Sequence, residues 1–123
     1  MMRETRRELG KRGEELARRH LEKLGFSVLE SNYRTPEGEI DLIVERDDLL
    51  VFVEVRTRHR GVFGSPEESL TARKRSHMAS SALRYLQRNR ITDREWRIDL
   101  VAVEIGPGEK PVRVDVTENA VEV

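Results

Sequence analysis

Two short apolar runs, each with acidic residues inside it, constrain the fold of this chain more than any other feature. The first run covers residues 38–44 (GEIDLIV) and the second covers residues 51–56 (VFVEVR). Runs of this length and composition are typical of strands buried in a sheet. Burying a carboxylate is strongly unfavourable unless a positive group pairs with it. The acids in these runs therefore either face water or hold something positive.

The polar link between the two runs predicts a tight hairpin centred on residues 47–48. In that register Asp41 lies opposite Glu54, and Glu39 lies opposite Arg56. Directly opposed side chains lie about 4.5–5.5 Å apart at Cβ, where like charges repel. A divalent cation between Asp41 and Glu54 would turn that repulsion into attraction. Glu39 and Arg56 are expected to form an ion pair beside this site.

The pattern Asp41…Glu54-Val55-Arg56 resembles the motif of the PD-(D/E)XK nucleases. The fuller pattern, GEIDLI with FVEVR, more closely resembles the YraN-like family of bacterial proteins, which are similar to Holliday junction resolvases. The resemblance spans residues 13–99. It implies an α/β fold of the restriction-endonuclease-like type, in which helices flank a mixed β-sheet.

The resemblance also implies phosphodiester hydrolysis with Mg²⁺ or Mn²⁺ as the cofactor. Asp41 and Glu54 would bind the metal and act in catalysis with Arg56, and Glu14 on the first helix would reach the same metal. Gly38 and Glu39 belong to the same motif and would support the site.

The third motif position of these nucleases is usually Lys, whereas this chain has Arg56. Arginine cannot give up its proton, so Arg56 cannot be a general base, although it can stabilise negative charge on a phosphate. If catalysis needs a neutral Lys, the protein would be slow or inert. If catalysis needs only positive charge, Arg56 suffices.

The charge distribution is consistent with a nucleic-acid partner, although the formal net charge is zero. Residues 55–92 carry nine Arg and Lys residues and two acidic ones. Local basic patches, rather than net charge, bind phosphates. A solvated surface explains the same pattern equally well. The candidate nucleic-acid-binding residues are Arg34, Arg58, Arg60, Arg73, Lys74, Arg84 and Arg88.

Periodicity and turn signals predict the order α-β-β-β-α-β-β. The predicted segments are a helix over 4–24, a strand over 26–30, a turn-rich link over 32–38, the hairpin, a basic loop over 57–65, a helix that is continuous from near Thr71, a strand over 96–105 and an edge strand over 112–116. Gly13 inside the first helix predicts close packing, and Asp99 inside an apolar run is expected to pair with an Arg.

The second helix is predicted to have an apolar face and a basic face on opposite sides. The residues expected to face the sheet are Ala72, Ala79, Ala82, Leu83 and Leu86. The basic stripe consists of Arg73, His77, Arg84 and Arg88, with Lys74 at its edge.

Length and composition limit the remaining possibilities. A chain of 123 residues predicts a single domain over 1–123. The absence of cysteine excludes disulfides and thiolate metal sites. No apolar run approaches membrane-spanning length and the N-terminus lacks the apolar core of a signal peptide, so we expect a cytoplasmic protein with no membrane partner.

Three functions are compatible with these patterns. The first is a metal-dependent endonuclease acting on branched or structured DNA, and the second is a non-catalytic nucleic-acid-binding domain with the nuclease fold. The third is a protein-interaction module whose acids face water. Because a DNA junction presents two symmetric cuts, a homodimer formed through an edge strand would suit the first function.

Overall fold

The structure, a computed structural model, describes residues 4–61 and 64–122. The elements are helix α1 (Arg6–Lys23), strands β1 (Ser27–Thr35), β2 (Gly38–Arg46) and β3 (Leu49–His59), helix α2 (Ala72–Arg88), and strands β4 (Glu95–Ile105) and β5 (Pro111–Thr117). Short 3₁₀ turns cover Glu67–Ser69 and Pro107–Glu109. The predicted order α-β-β-β-α-β-β is confirmed. Neither helix in the described ranges is both long enough and apolar enough to cross a lipid bilayer.

The five strands form one mixed sheet with the order β1-β2-β3-β4-β5. Strands β3 and β4 are parallel and the other neighbouring pairs are antiparallel. A parallel pair needs a long crossover, which α2 provides here. Helix α1 packs on one face of the sheet through Ala17 and Leu21, and α2 packs on the other through Met78 and Ala82. The predicted mixed sheet flanked by helices is therefore confirmed, with β5 at an edge.

Helix α1 lies unusually close to β3 because Gly13 has no side chain. A Cβ atom at Gly13 would lie 1.7 Å from Thr57 Oγ1. The predicted close packing at Gly13 is thus confirmed. The next residue, Glu14, lies within hydrogen-bonding distance of Asn32 in β1.

Two predicted loops are instead parts of strands. Strand β1 continues to Thr35, so the link over 32–38 is reduced to a turn at residues 36–37. The Thr35 hydroxyl holds this turn by accepting the backbone N–H of Gly38 at 3.2 Å. Strand β3 continues through His59 because its parallel pairing with β4 extends to Ile105. Residues 62 and 63 of the predicted loop lie outside the described residues.

Helix α2 begins after Thr71, as predicted, and the Thr71 hydroxyl accepts the backbone N–H of Lys74. Its buried face was predicted in part. The buried residues are Met78, Ser81, Ala82, Tyr85 and Leu86, whereas Ala72 is exposed and Leu83 is 48% exposed. The face is rotated toward Tyr85 because that ring packs edge-on against Phe52 and Tyr33.

Candidate metal centre and its basic surround

Asp41 is fixed at the point where the β2–β3 ladder ends. The hairpin has the predicted register, from Arg46 opposite Leu49 to Leu42 opposite Val53. At the next position the Asp41 Oδ2 atom, rather than a backbone carbonyl, accepts the Val55 N–H at 2.7 Å. The Asp41 carboxyl also lies close enough to that of Glu54 for the two groups to interact. The predicted proximity of these two acids is therefore confirmed.

Three carboxylates meet on the α1 side of this hairpin. Oxygen atoms of Glu14, Glu39 and Asp41 all lie within 4.8 Å of one another. Asn32 bridges two of them, since its Nδ2 atom donates to Glu14 at 2.9 Å and to Glu39 at 2.7 Å. Like charges at this separation repel, and an oxygen-only donor set is the type that hard divalent cations prefer. This acidic group could hold a metal ion.

The electrostatics of the group centre on Asp41. Burial, followed by the neighbouring Glu54 carboxyl, raises the pKa of Asp41 to about 8, against the opposing effect of the Val55 N–H. Burial and the charge of Asp41 also raise the pKa of Glu14. At neutral pH without a metal, Asp41 is therefore largely protonated. The site stores unfavourable charge interactions that a bound cation would relieve.

Glu54 lies on the other side of Asp41 and already has cationic partners. It is 4% exposed, and its Oε2 atom is 3.7 Å from both Arg56 Nη1 and Lys74 Nζ. The Nε atom of Arg56 donates to Ser69 Oγ at 2.7 Å, which fixes the guanidinium. Within the described chain Glu54 is outside the group of three acids, so its role as a metal ligand stays a prediction.

The predicted ion pair between Glu39 and Arg56 was wrong. Glu39 lies opposite Arg34 of β1 and pairs with it at 3.6 Å, while Arg56 turns to Glu54. The reason is that the β2–β3 ladder ends at Leu42, so Glu39 follows β1 rather than β3. Gly38 is the first residue of β2 and lies between the turn at residues 36–37 and Glu39.

The predicted nucleic-acid-binding residues are divided between two regions. Arg34 lines the same hollow as the acidic group, and Arg58 lines the neighbouring hollow with Arg56. Arg60 is exposed in the turn after β3. Lys74 forms an ion pair with Glu54, with Nζ 3.7 Å from Oε2. Of these four residues, Arg34 lines the hollow of the acidic group itself.

The basic stripe on α2 is only partly available to a ligand. Arg73 and Arg88 are exposed, whereas Arg84 pairs with Glu37 through two hydrogen bonds, with Nε donating to Oε2 at 3.0 Å. The contacts with Glu37 raise the pKa of Arg84. Nothing in the periodicity of α2 could indicate this pairing, because Glu37 is 47 residues away in sequence.

Sequence reasoning missed three residues of the site. Arg7 and Lys11 line the hollow of the acidic group from α1, and Asn32 connects two of its acids. Arg7, Lys11 and Glu14 follow one another at intervals of four and three residues, which places them on the same helix surface and was the available signal. Asn32 lay in a segment interpreted as a turn, so no signal identified it.

The fold and the acidic group define a small α/β domain with a carboxylate cluster where a hairpin ladder ends. The model of uncharacterised protein family UPF0102 matches residues 13–103, and the chain belongs to this family. This confirms the YraN-like assignment made from the GEIDLI and FVEVR motifs. Every residue of the acidic group lies in the matched segment.

Relatives from several bacteria match over most of their lengths. A UPF0102 protein of Dehalococcoides mccartyi is 41% identical over 116 residues, covering 94% of each chain. One from Pseudomonas aeruginosa is 40% identical over 119 residues, covering 96% of this chain and 95% of the relative. One from Desulfitobacterium hafniense is 45% identical over 105 residues, covering 83% of this chain and 85% of the relative.

Proposed function

We propose that this protein is a metal-dependent endonuclease that hydrolyses phosphodiester bonds in branched or structured DNA. The observation that carries the proposal is the convergence of Glu14, Glu39 and Asp41 within 4.8 Å. Such a group destabilises the fold unless a cation binds it, and strongly perturbed acids in a cleft are characteristic of functional sites.

The donor set fits Mg²⁺ or Mn²⁺. All three groups offer carboxylate oxygens, and Asn32 orients two of them. Zinc sites in proteins typically include His or Cys ligands, and the group contains neither. A bound divalent cation would supply a Lewis acid beside the phosphate to be cleaved.

The surrounding cations give the site its affinity for phosphate. Arg7, Lys11 and Arg34 line the hollow that contains the acidic group, so a phosphate entering it meets positive charge on several sides. Arg56, held by Ser69, contributes a permanent charge near Glu54. Because arginine keeps its proton, the role of Arg56 is electrostatic.

A polynucleotide explains the basic residues beyond the site better than a small phosphate ester does. Arg73 and Arg88 are exposed along α2, outside the hollow of the acidic group. Phosphate contacts of this kind position DNA without reading its sequence. The choice of branched DNA rests on the resemblance of the two motifs to Holliday junction resolvases, which also favours a homodimer through edge strand β1 or β5.

A second function, a non-catalytic nucleic-acid-binding domain, is favoured by one observation. The third motif position carries Arg56, which cannot accept a proton from water. In this alternative the metal and the cations bind DNA and cleavage does not follow.

Titration with Mn²⁺ followed by a cleavage assay tests the proposal. We expect wild-type protein to bind Mn²⁺ in a calorimeter and to cut a four-way DNA junction. Asp41→Ala should lose both while keeping its affinity for the junction, because the basic residues remain. The matched control is Asp93→Ala, which removes an exposed acid from the α2–β4 loop and should change neither property.

The outcomes separate the alternatives. Folded wild-type protein that binds no Mn²⁺, alone or with DNA, contradicts the endonuclease proposal. Binding of both Mn²⁺ and DNA without cleavage of any junction supports the non-catalytic domain. Absence of DNA affinity at low salt favours a protein-interaction module.

A further inference from the structure

Two adjoining hollows flank the N-terminal half of α1. The acidic hollow, of about 450 Å³, contains Glu14, Glu39 and Asp41. The basic hollow, of about 610 Å³, lies on the other side and is lined in part by Arg56 and Arg58. Both hollows are bordered by Gly10 of α1 and by Val55 of β3, so they meet between these two residues.

Gly10 has no packing role that explains it. A Cβ atom built on Gly10 would meet nothing within 4 Å, whereas one on Gly13 would clash with Thr57. Gly10 also has an ordinary negative φ, because the glycines with positive φ lie elsewhere. Glycine inside a helix destabilises it relative to alanine. The fold would therefore tolerate a side chain at Gly10, and its absence leaves the passage between the hollows open.

The two hollows differ in charge in a way that suits consecutive phosphates. In the acidic hollow, three carboxylates that could hold a cation lie among Arg7, Lys11 and Arg34. In the basic hollow, Arg6, Arg56 and Arg58 outnumber the single acid Glu4. That acid already accepts two hydrogen bonds from the Arg12 guanidinium. Positive grooves of this kind follow the backbone of a nucleic-acid strand.

We propose that one strand of the DNA substrate crosses α1 at Gly10. The phosphate to be cleaved lies in the acidic hollow, and a neighbouring phosphate of the same strand lies in the basic hollow. Gly10 is the point of closest approach and acts by leaving room for the strand. This inference rests on the proposed function, which supplies the DNA.

A single cysteine at this position provides a direct test, because the chain has no cysteine of its own. Gly10→Cys would be alkylated with a bulky maleimide, and its affinity for a fluorescein-labelled four-way junction measured with Ca²⁺ in place of the catalytic metal. The control is Ser27→Cys, carrying the same label at the exposed end of β1 opposite Glu45. We expect at least a tenfold loss of junction affinity for labelled Gly10→Cys and none for labelled Ser27→Cys.

Gly10→Ala supplies a second variant with the smallest possible side chain. It should unfold at a higher temperature than wild type, because alanine favours the helix. Its junction affinity should nevertheless fall by about threefold or more. The dependence of that affinity on salt should not change, since no charge is removed.

Each result decides between separate claims. If labelled Gly10→Cys and Gly10→Ala bind the junction as tightly as wild type, the strand path is overturned and the endonuclease proposal stands. If wild-type protein binds no DNA, both are overturned. Mn²⁺ binding should be unchanged in Gly10→Ala, and its loss there would indicate a structural role for Gly10 and overturn the inference.

Discussion

Asp41→Asn should stabilise the metal-free protein, and the gain should grow with pH. The pKa of Asp41 is about 8 in the fold, against an ordinary value of 3.8. Each unit of such a shift corresponds to about 1.4 kcal/mol, so ionising Asp41 in the native state opposes folding by on the order of 5 kcal/mol. Asparagine has the same shape, can accept the Val55 N–H and carries no charge to bury.

The sign of the pH dependence follows from the number of protons bound in the native and unfolded states. Below about pH 4 Asp41 is protonated in both states and contributes no difference. Between about pH 4 and 8 the unfolded chain has released the proton and the native chain has kept it, so the free energy of unfolding falls by up to about 1.4 kcal/mol per pH unit. Above about pH 8 both states are ionised, and the full destabilisation remains.

Urea unfolding of wild type and Asp41→Asn at several pH values from 5 to 9, with a chelator present, measures this difference. We expect the two stability curves to diverge up to about pH 8 and then run parallel. Asp93→Asn, which removes an exposed acid, should follow wild type throughout. Parallel curves for wild type and Asp41→Asn from pH 5 to 9 would refute the raised pKa of Asp41. Added Mn²⁺ should stabilise wild type and Asp93→Asn but not Asp41→Asn.

Two further substitutions test the packing around the site. Gly13→Ala should lower the free energy of unfolding by about 1–3 kcal/mol, because its methyl group would overlap Thr57. Gly10→Ala in the same helix should raise the free energy of unfolding. Equal effects of the two substitutions in urea unfolding would contradict this prediction. Arg97→Met should cost about 3–5 kcal/mol, because it leaves Asp99, 1% exposed, without its cation. Adding Asp99→Asn should recover part of that loss, and no recovery would show that the charge is not the cause.

The sequence predicted most of the fold because the fold depends largely on local patterns. The two-residue link at 47–48 determined the register of the whole hairpin, since a pairing once started continues residue by residue. Gly13 was identified as a close contact because glycine inside a helix needs a reason. Asp99 was assigned an Arg partner because a buried acid requires one, and Arg97 provides it at 3.0 Å.

The partners across the site could not be predicted in the same way. Extending the hairpin register to Glu39 gave Arg56 as its partner, but pairing between β2 and β3 stops at Leu42. No pattern in the two runs indicates where a ladder ends. Asn32 has a left-handed backbone within β1, with φ of 53°, and reaches across to Glu14 of another element. Contacts of this kind depend on tertiary placement, which periodicity does not contain.

The motif and the geometry indicate different metal ligands because the acids around Asp41 differ in how far neighbouring cations balance their charge. The motif joins Asp41 to Glu54, and the structure brings their carboxyls close enough to interact. Glu54, however, is compensated by Arg56 and Lys74, each 3.7 Å away. On the opposite side of Asp41, Glu14 and Glu39 share the uncharged Asn32, and the exposed Arg34 pairs with Glu39 at 3.6 Å. Arg7 and Lys11 line the hollow on this side. Because a cation gains most where negative charge is least balanced, the side of Asp41 that faces α1 is where a divalent ion should bind.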